Sequence, residues 1–83
     1  MSFTEMKIPG AWVHTAIRFG DSRGFFEEQF KLSLIESQVG RTFPVKQVNQ
    51  SRSGKGVIRG IHWTDSPAGQ AKYVSCINGS MWD

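Results

Sequence analysis

Gly56-Val-Ile-Arg-Gly-Ile-His-Trp63, followed by Gln70-Ala-Lys72, places an arginine, a histidine and a lysine in one short, glycine-punctuated stretch. Arginine presents a planar fork of donors that fits a phosphate. Histidine exchanges a proton near neutral pH. Lysine sets a positive point charge where an oxyanion develops. Arg59, His62 and Lys72 are therefore candidates for anion binding, proton transfer and oxyanion stabilisation. Strand alternation puts Val57, Arg59, Ile61 and Trp63 on one face and Ile58, Gly60 and His62 on the other. Arg59 and His62 then share a pocket only through a bulge or twist, and Gly60 is the residue that permits one. The plainer readings are a hydrogen-bonded structural His62 and a surface or ion-paired Arg59.

Two other stretches carry polar groups at strand spacing. Phe25 to Phe30 alternates Phe26, Glu28 and Phe30 against Phe25, Glu27 and Gln29, so a glutamate sits between two aromatics on one face. Val45 to Ser51 sets Val45, Gln47, Asn49 and Ser51 on one face, a row suited to lining a polar cavity or to meeting water. Metal binding is poorly supported, because His14 and His62 are the only histidines and lack paired ligand spacing. The nucleophile turn Gly-x-Ser-x-Gly of a serine hydrolase is absent. Ser51-Arg-Ser-Gly-Lys-Gly56 resembles a phosphate loop only superficially, without the required spacing or a following helix.

The elements that position these groups read mostly as strands. Ile8-Pro9-Gly10 closes an extended lead-in as a turn. Trp12 to Phe19 is rich in strand-forming types. Gly20-Asp-Ser-Arg-Gly24 reads as a turn. Ser33-Leu-Ile-Glu36 fits a capping box, with Gly40 as the stop of a short helix over Leu34 to Val39. Further strands are expected over Val45–Ser51, Gly56–Trp63 and Gln70–Ile77, with a loop over Thr64–Gly69. Asn78-Gly79 is a strong hairpin signal, and Ser80 to Asp83 begins the returning strand. Roughly six or seven short strands with one helix suggest an all-β sandwich or barrel.

The chain has 83 residues, enough for one small domain over 1–83. Its 39% hydrophobic and 20% charged residues match a soluble globular protein rather than a disordered one. The net charge of +3 fits attraction to an anionic ligand as well as an ordinary surface. The basic residues are scattered, with no run and no nucleic-acid motif, so nucleic acid is not an expected partner. Cys76 is the only cysteine; an internal disulfide is excluded, and a buried structural thiol is expected. No apolar run approaches a membrane span, and the first residues lack a signal-peptide core. A cytoplasmic protein with no membrane partner is the expectation.

Four motifs occur in order: Asp21-x-Arg23-Gly24-x-Phe26-x-Glu28, Gln47-x-Asn49-x-Ser51-x-Ser53, Gly56-x-x-Arg59-Gly60-x-His62 and Gln70-x-Lys72. Together they resemble the first half of the dTDP-4-dehydrorhamnose 3,5-epimerase (RmlC) family, over nearly the whole chain from Ile8. The resemblance implies the N-terminal part of a single jelly-roll (cupin) barrel, homodimeric, with no metal and no cofactor. It implies epimerisation of a dTDP-4-keto-6-deoxyhexose at C3, C5 or both. By motif position, His62 is the base and Lys72 stabilises the enolate oxygen. By the same positions Arg23 and Arg59 hold the nucleotide sugar at its phosphates, and Phe26, Glu28, Gln47 and Asn49 complete the pocket. His14 matches no catalytic position and is read as structural. Trp63-Thr-Asp65 and Gln70-Ala-Lys-Tyr-Val departs from the rhamnose type toward the antibiotic-sugar branch, whose members act at C3 or at C5. The family's opposing acid is a tyrosine in its second half, and Tyr73 does not match its motif. Two alternatives stand beside an active epimerase: a truncated, inactive dTDP-sugar-binding module, and a small barrel that binds single-stranded nucleic acid.

Overall fold

The computed structural model describes residues 2–65, 67 and 69–83. They form two compact units, Met1–Lys46 and Gln47–Asp83.

The first unit holds two antiparallel hairpins and one short helix. Strands β1 (Ser2–Glu5) and β2 (Trp12–Thr15) pair from Ser2↔Thr15 to Glu5↔Trp12. Strands β3 (Arg18–Asp21) and β4 (Gly24–Glu27) pair from Arg18↔Glu27 to Asp21↔Gly24 in a separate sheet. Helix α1 spans Leu32–Val39.

Turn chemistry explains both hairpins. In the first, the Ala11 N–H donates to the Ile8 carbonyl at 3.1 Å, and the Met6 N–H donates to the Ala11 carbonyl at 2.7 Å. Pro9 fixes the first central position, and Gly10 takes φ of +87°, the left-handed value a type II turn requires. Trp12 to Phe19, expected as one strand, is two: Trp12–Thr15 pairs back to β1 and Arg18–Asp21 pairs forward to β4. The ladder of the second hairpin continues through Gly20 and Asp21, so its turn is narrower than the expected Gly20–Gly24. Phe25 to Phe30 keeps its strand only to Glu27, which leaves Glu28 beyond the ladder.

The helix starts at Leu32, two residues before the expected Leu34. Its cap is Lys31, extended at φ −136° and ψ 110°, with no side-chain cap. The Lys31 carbonyl accepts from the N–H groups of both Leu34 and Ile35, so the first turn closes without Ser33. The expected capping box does not form. The Glu36 carboxylate instead accepts the Phe43 N–H at 2.5 Å, beyond the other end of the helix. Gly40 ends the helix as expected, with φ of +74° and its N–H on the Glu36 carbonyl. Ile35 is the buried hydrophobic residue of the described chain, and Phe30 meets Phe43 at 6.2 Å between ring centroids.

The chain from Val45 onward corrects the largest part of the sequence reading. Val45–Ser51, Gly56–Trp63 and Gln70–Ile77 were expected as strands, and none is assigned as one. Strand propensity measures fit to a packed, pleated neighbour, and these stretches have no paired partner among the described residues. Ile58 is 94% and Ile61 90% exposed, so neither face of the expected central strand is covered. Asn78-Gly79 bends, with Gly79 at φ +87°, but no returning strand pairs after it. Cys76, expected buried, is exposed, because the Gln70–Ile77 strand that was to carry it does not form. Of the expected Thr64–Gly69 loop, residues 66 and 68 lie outside the described residues. Among the described residues no helix is long and apolar enough to cross a membrane.

Gly40→Ala puts a Cβ on a left-handed residue with open space around it, so the cost is conformational alone. It is expected to destabilise the helix by about 1 kcal/mol. Gly54→Ala, also in open space and not left-handed, is expected to be neutral. Helical circular dichroism during thermal unfolding checks the contrast.

Candidate functional site

Arg23, Phe26 and Glu28 lie on or beside the second hairpin. Arg23 occupies the turn between β3 and β4. Its backbone N–H donates to Asp21 Oδ1 at 2.8 Å, which closes the turn from the side chain. Its guanidinium donates from Nε to Oδ1 at 3.3 Å and from Nη2 to Oδ2 at 2.6 Å. The guanidinium holds the Asp21 carboxyl below the usual carboxylate range, and the backbone N–H adds to this. Phe26 pairs across the ladder with Phe19, and both rings are exposed. Glu28 is exposed just past β4, outside the alternation that was to place it between aromatics.

The opposite face of this hairpin is tied by a different pair. Arg18 donates from Nε to Glu27 Oε2 at 3.1 Å and from Nη2 to Oε1 at 3.2 Å. Arg18 lies 3.6 Å from the Phe25 ring centre, a stacked cation–π contact. Gln29 Nε2 donates to Glu27 Oε1 at 2.6 Å. These bonds hold the Glu27 carboxyl below its ordinary range, the one from Arg18 most strongly. His14, read as structural, stacks on Phe3 at 4.4 Å in the first hairpin.

Gln47, Asn49, Arg59, His62 and Lys72 belong to the second unit. Gln47 Nε2 donates to Asn49 Oδ1 at 3.4 Å, so these two are brought together. Arg59 donates from Nε to Ser53 Oγ at 2.8 Å and from Nη2 to the Arg52 carbonyl at 3.0 Å. Arg59 thus pins the Ser51–Gly56 loop. Gly60 has φ of +140°, and with no strand over Gly56–Trp63 the bulge that would let Arg59 and His62 share a pocket does not form. His62 and Lys72 are exposed. Burial pushes the Tyr73 hydroxyl up. An open depression lined by Ser80, Met81 and Trp82 includes none of the candidate residues. Among the described residues no group of three or more His, Cys, Asp or Glu could hold a metal ion.

Asp21 and Ser53 are two of the residues that the motif reading quoted without giving them a role. Each holds one of the two candidate arginines. The signal for Asp21 was its place two residues before Arg23 at a turn, where an Asp side chain commonly accepts a backbone N–H. Ser53 lies too far from Arg59 in the chain for spacing to show their contact.

A family model described as dTDP-4-dehydrorhamnose 3,5-epimerase matches residues 5–83. The chain belongs to this family. It is 41% identical, over all 83 of its residues, to a dTDP-4-dehydrorhamnose 3,5-epimerase of Mycolicibacterium smegmatis, covering 41% of that protein. It is 40% identical over its whole length to a 3,5-epimerase of Shigella flexneri, covering 46% of it. It is 39% identical over its whole length to a dTDP-4-dehydrorhamnose 3-epimerase of Streptomyces niveus, covering 40% of it. This epimerase-family chain therefore spans less than half the length of these curated relatives. The identities differ too little to separate 3,5-epimerases from 3-epimerases. No solved structure matches.

The Arg18–Glu27 pair gives a pH prediction. Glu27 has a depressed folded value, so its contribution is complete above the unfolded value and is lost as pH falls through the folded one. The Arg18 Nε–H resonance is expected to shift with a midpoint below the ordinary glutamate range. Glu27→Gln is expected to abolish that step in an NMR pH titration.

Proposed function

We propose that the chain is the N-terminal part of a dTDP-4-keto-6-deoxyhexose epimerase that acts at C3, C5 or both. The match of the epimerase-family model to residues 5–83 carries this reading. The four motifs support it, because they supply the residue types the chemistry needs. A ketone at C4 acidifies the C3 and C5 protons. His62 takes one of these protons, the electron pair moves to the C4 oxygen, and an acid on the opposite face gives a proton back to the carbon as the C4 carbonyl re-forms. Lys72 stabilises the enolate oxygen. Arg23 and Arg59 bind the diphosphate, and Phe26, Glu28, Gln47 and Asn49 complete the sugar pocket.

The complete domain in this reading is a jelly-roll cupin barrel, working as a homodimer in the cytoplasm. The exposed strand-forming stretches of the second unit support it. Val57, Ile61 and Trp63 share one face of the expected strand and are apolar and exposed, and a barrel gives such a face an inward side.

A second reading is a dTDP-sugar-binding module without turnover. Arg23 and Arg59 are held by hydrogen bonds while His62 and Lys72 are exposed, which favours it.

Incubation with dTDP-4-keto-6-deoxyglucose in D2O, followed by proton NMR, tests the first reading. Exchange at C3 or C5 is expected. His62→Ala is expected to slow it by about 10²- to 10⁴-fold, and Lys72→Ala by about 10²- to 10³-fold. No exchange with dTDP still bound establishes the binding module; neither exchange nor binding refutes both readings.

A further inference from the structure

The Asp21–Arg23 contact does more than close a turn. The turn needs one acceptor, and Asp21 Oδ1 provides it by accepting the Arg23 N–H at 2.8 Å. The second oxygen, Oδ2, takes the Nη2 donor at 2.6 Å and contributes nothing to the turn. It acts on the side chain alone. A guanidinium has five N–H donors in a rigid plane. Asp21 engages Nε and one hydrogen of Nη2, which leaves both Nη1 hydrogens and one on Nη2. The Arg23 side chain is 88% exposed, so this remaining edge faces solvent.

The two candidate arginines are also held in chemically different ways. Arg59 rests on neutral oxygens, the Ser53 hydroxyl and the Arg52 carbonyl, and keeps its charge uncompensated by them. Arg23 rests on a carboxylate that offsets its charge. Its value to an anion is then direction: an ordered fork whose rotamer freedom is already spent before the ligand arrives.

We infer that Asp21 is a positioning residue that orients Arg23 toward a diphosphate; this rests on the reading of Arg23 as a ligand of the nucleotide sugar. Asp21 touches the arginine and not the ligand. Its loss lowers affinity for the diphosphate and leaves recognition of the nucleoside unchanged.

The test is calorimetric titration of the whole chain with dTDP and with thymidine. Asp21→Asn keeps an oxygen for the turn N–H and removes the charged second acceptor. It is expected to weaken dTDP binding by about five- to tenfold and thymidine binding not at all. Arg23→Ala is expected to weaken dTDP binding further, and adding Asp21→Asn to it to change nothing more, the coupling expected of two residues acting through one contact. Asp21→Ser, which also accepts the turn N–H, is the second variant and is expected to match Asp21→Asn. Glu27→Gln, on the opposite face, is expected to bind as the wild type. A cross-strand Phe19–Phe26 NOE checks each hairpin. Wild-type dTDP affinity in both Asp21 variants, with Arg23→Ala impaired, overturns this inference and leaves the proposed function standing. Equal loss of dTDP and thymidine binding overturns it in favour of a structural role. Wild-type affinity in Arg23→Ala, or no dTDP binding by the wild type, overturns both the inference and the role given to Arg23.

Discussion

The bidentate contact from Arg18 to Glu27 closes the second hairpin at the end opposite its turn. Its two ends have different chemistry. At the open end a guanidinium lies on the Phe25 ring and grips a carboxylate across the ladder. At the turn, Asp21 grips Arg23 within one strand-to-strand connection. A two-stranded ribbon is marginal in water by backbone pairing alone. The cross-strand pair holds the register in which Phe19 faces Phe26 and Arg23 stands at the tip. The Arg23 side chain at that tip is held separately, by Asp21.

The same dependence on local contacts explains where regular structure stops. Each hairpin is built from strands a few residues apart, and α1 closes on the Lys31 and Glu36 carbonyls within its own turns. Beyond Phe43 the strand-forming stretches have no partner near in the chain. Val45–Ser51, Gly56–Trp63 and Gln70–Ile77 carry the right residue types and stay unpaired. Pairing distant strands must overcome loop-closure entropy and needs a covered face to compensate. Ile58 and Ile61 show that no such cover is present on either side.

For the epimerase family this separates recognition from architecture. The motifs that mark the family are short and local, so they persist in a chain that spans less than half of its relatives. Gln47 with Asn49 and Arg23 with Asp21 are ordered pairs two residues apart, and Arg59 reaches Ser53 six residues back. His62 and Lys72, the proposed base and its electrostatic partner, are exposed instead. Their environment has to come from longer-range packing.

Residue order alone determined the family, the candidate residues, the Pro9-Gly10 turn and the stop at Gly40. Each of these is set by a residue's own backbone preference or by a motif a few positions long. It also misplaced features that depend on a neighbour. The helix began two residues early because the Lys31 carbonyl, not the Ser33 side chain, served its first N–H groups. Glu36 went to Phe43 rather than to a capping box. Trp12 to Phe19 split because its halves found different partners, and Cys76 stayed exposed because its strand found none. Tertiary structure decided which strand-forming stretches became strands, and which oxygen each arginine received. Both are choices among partners, and a partner's position in space is fixed by folding rather than by the type of residue that seeks it.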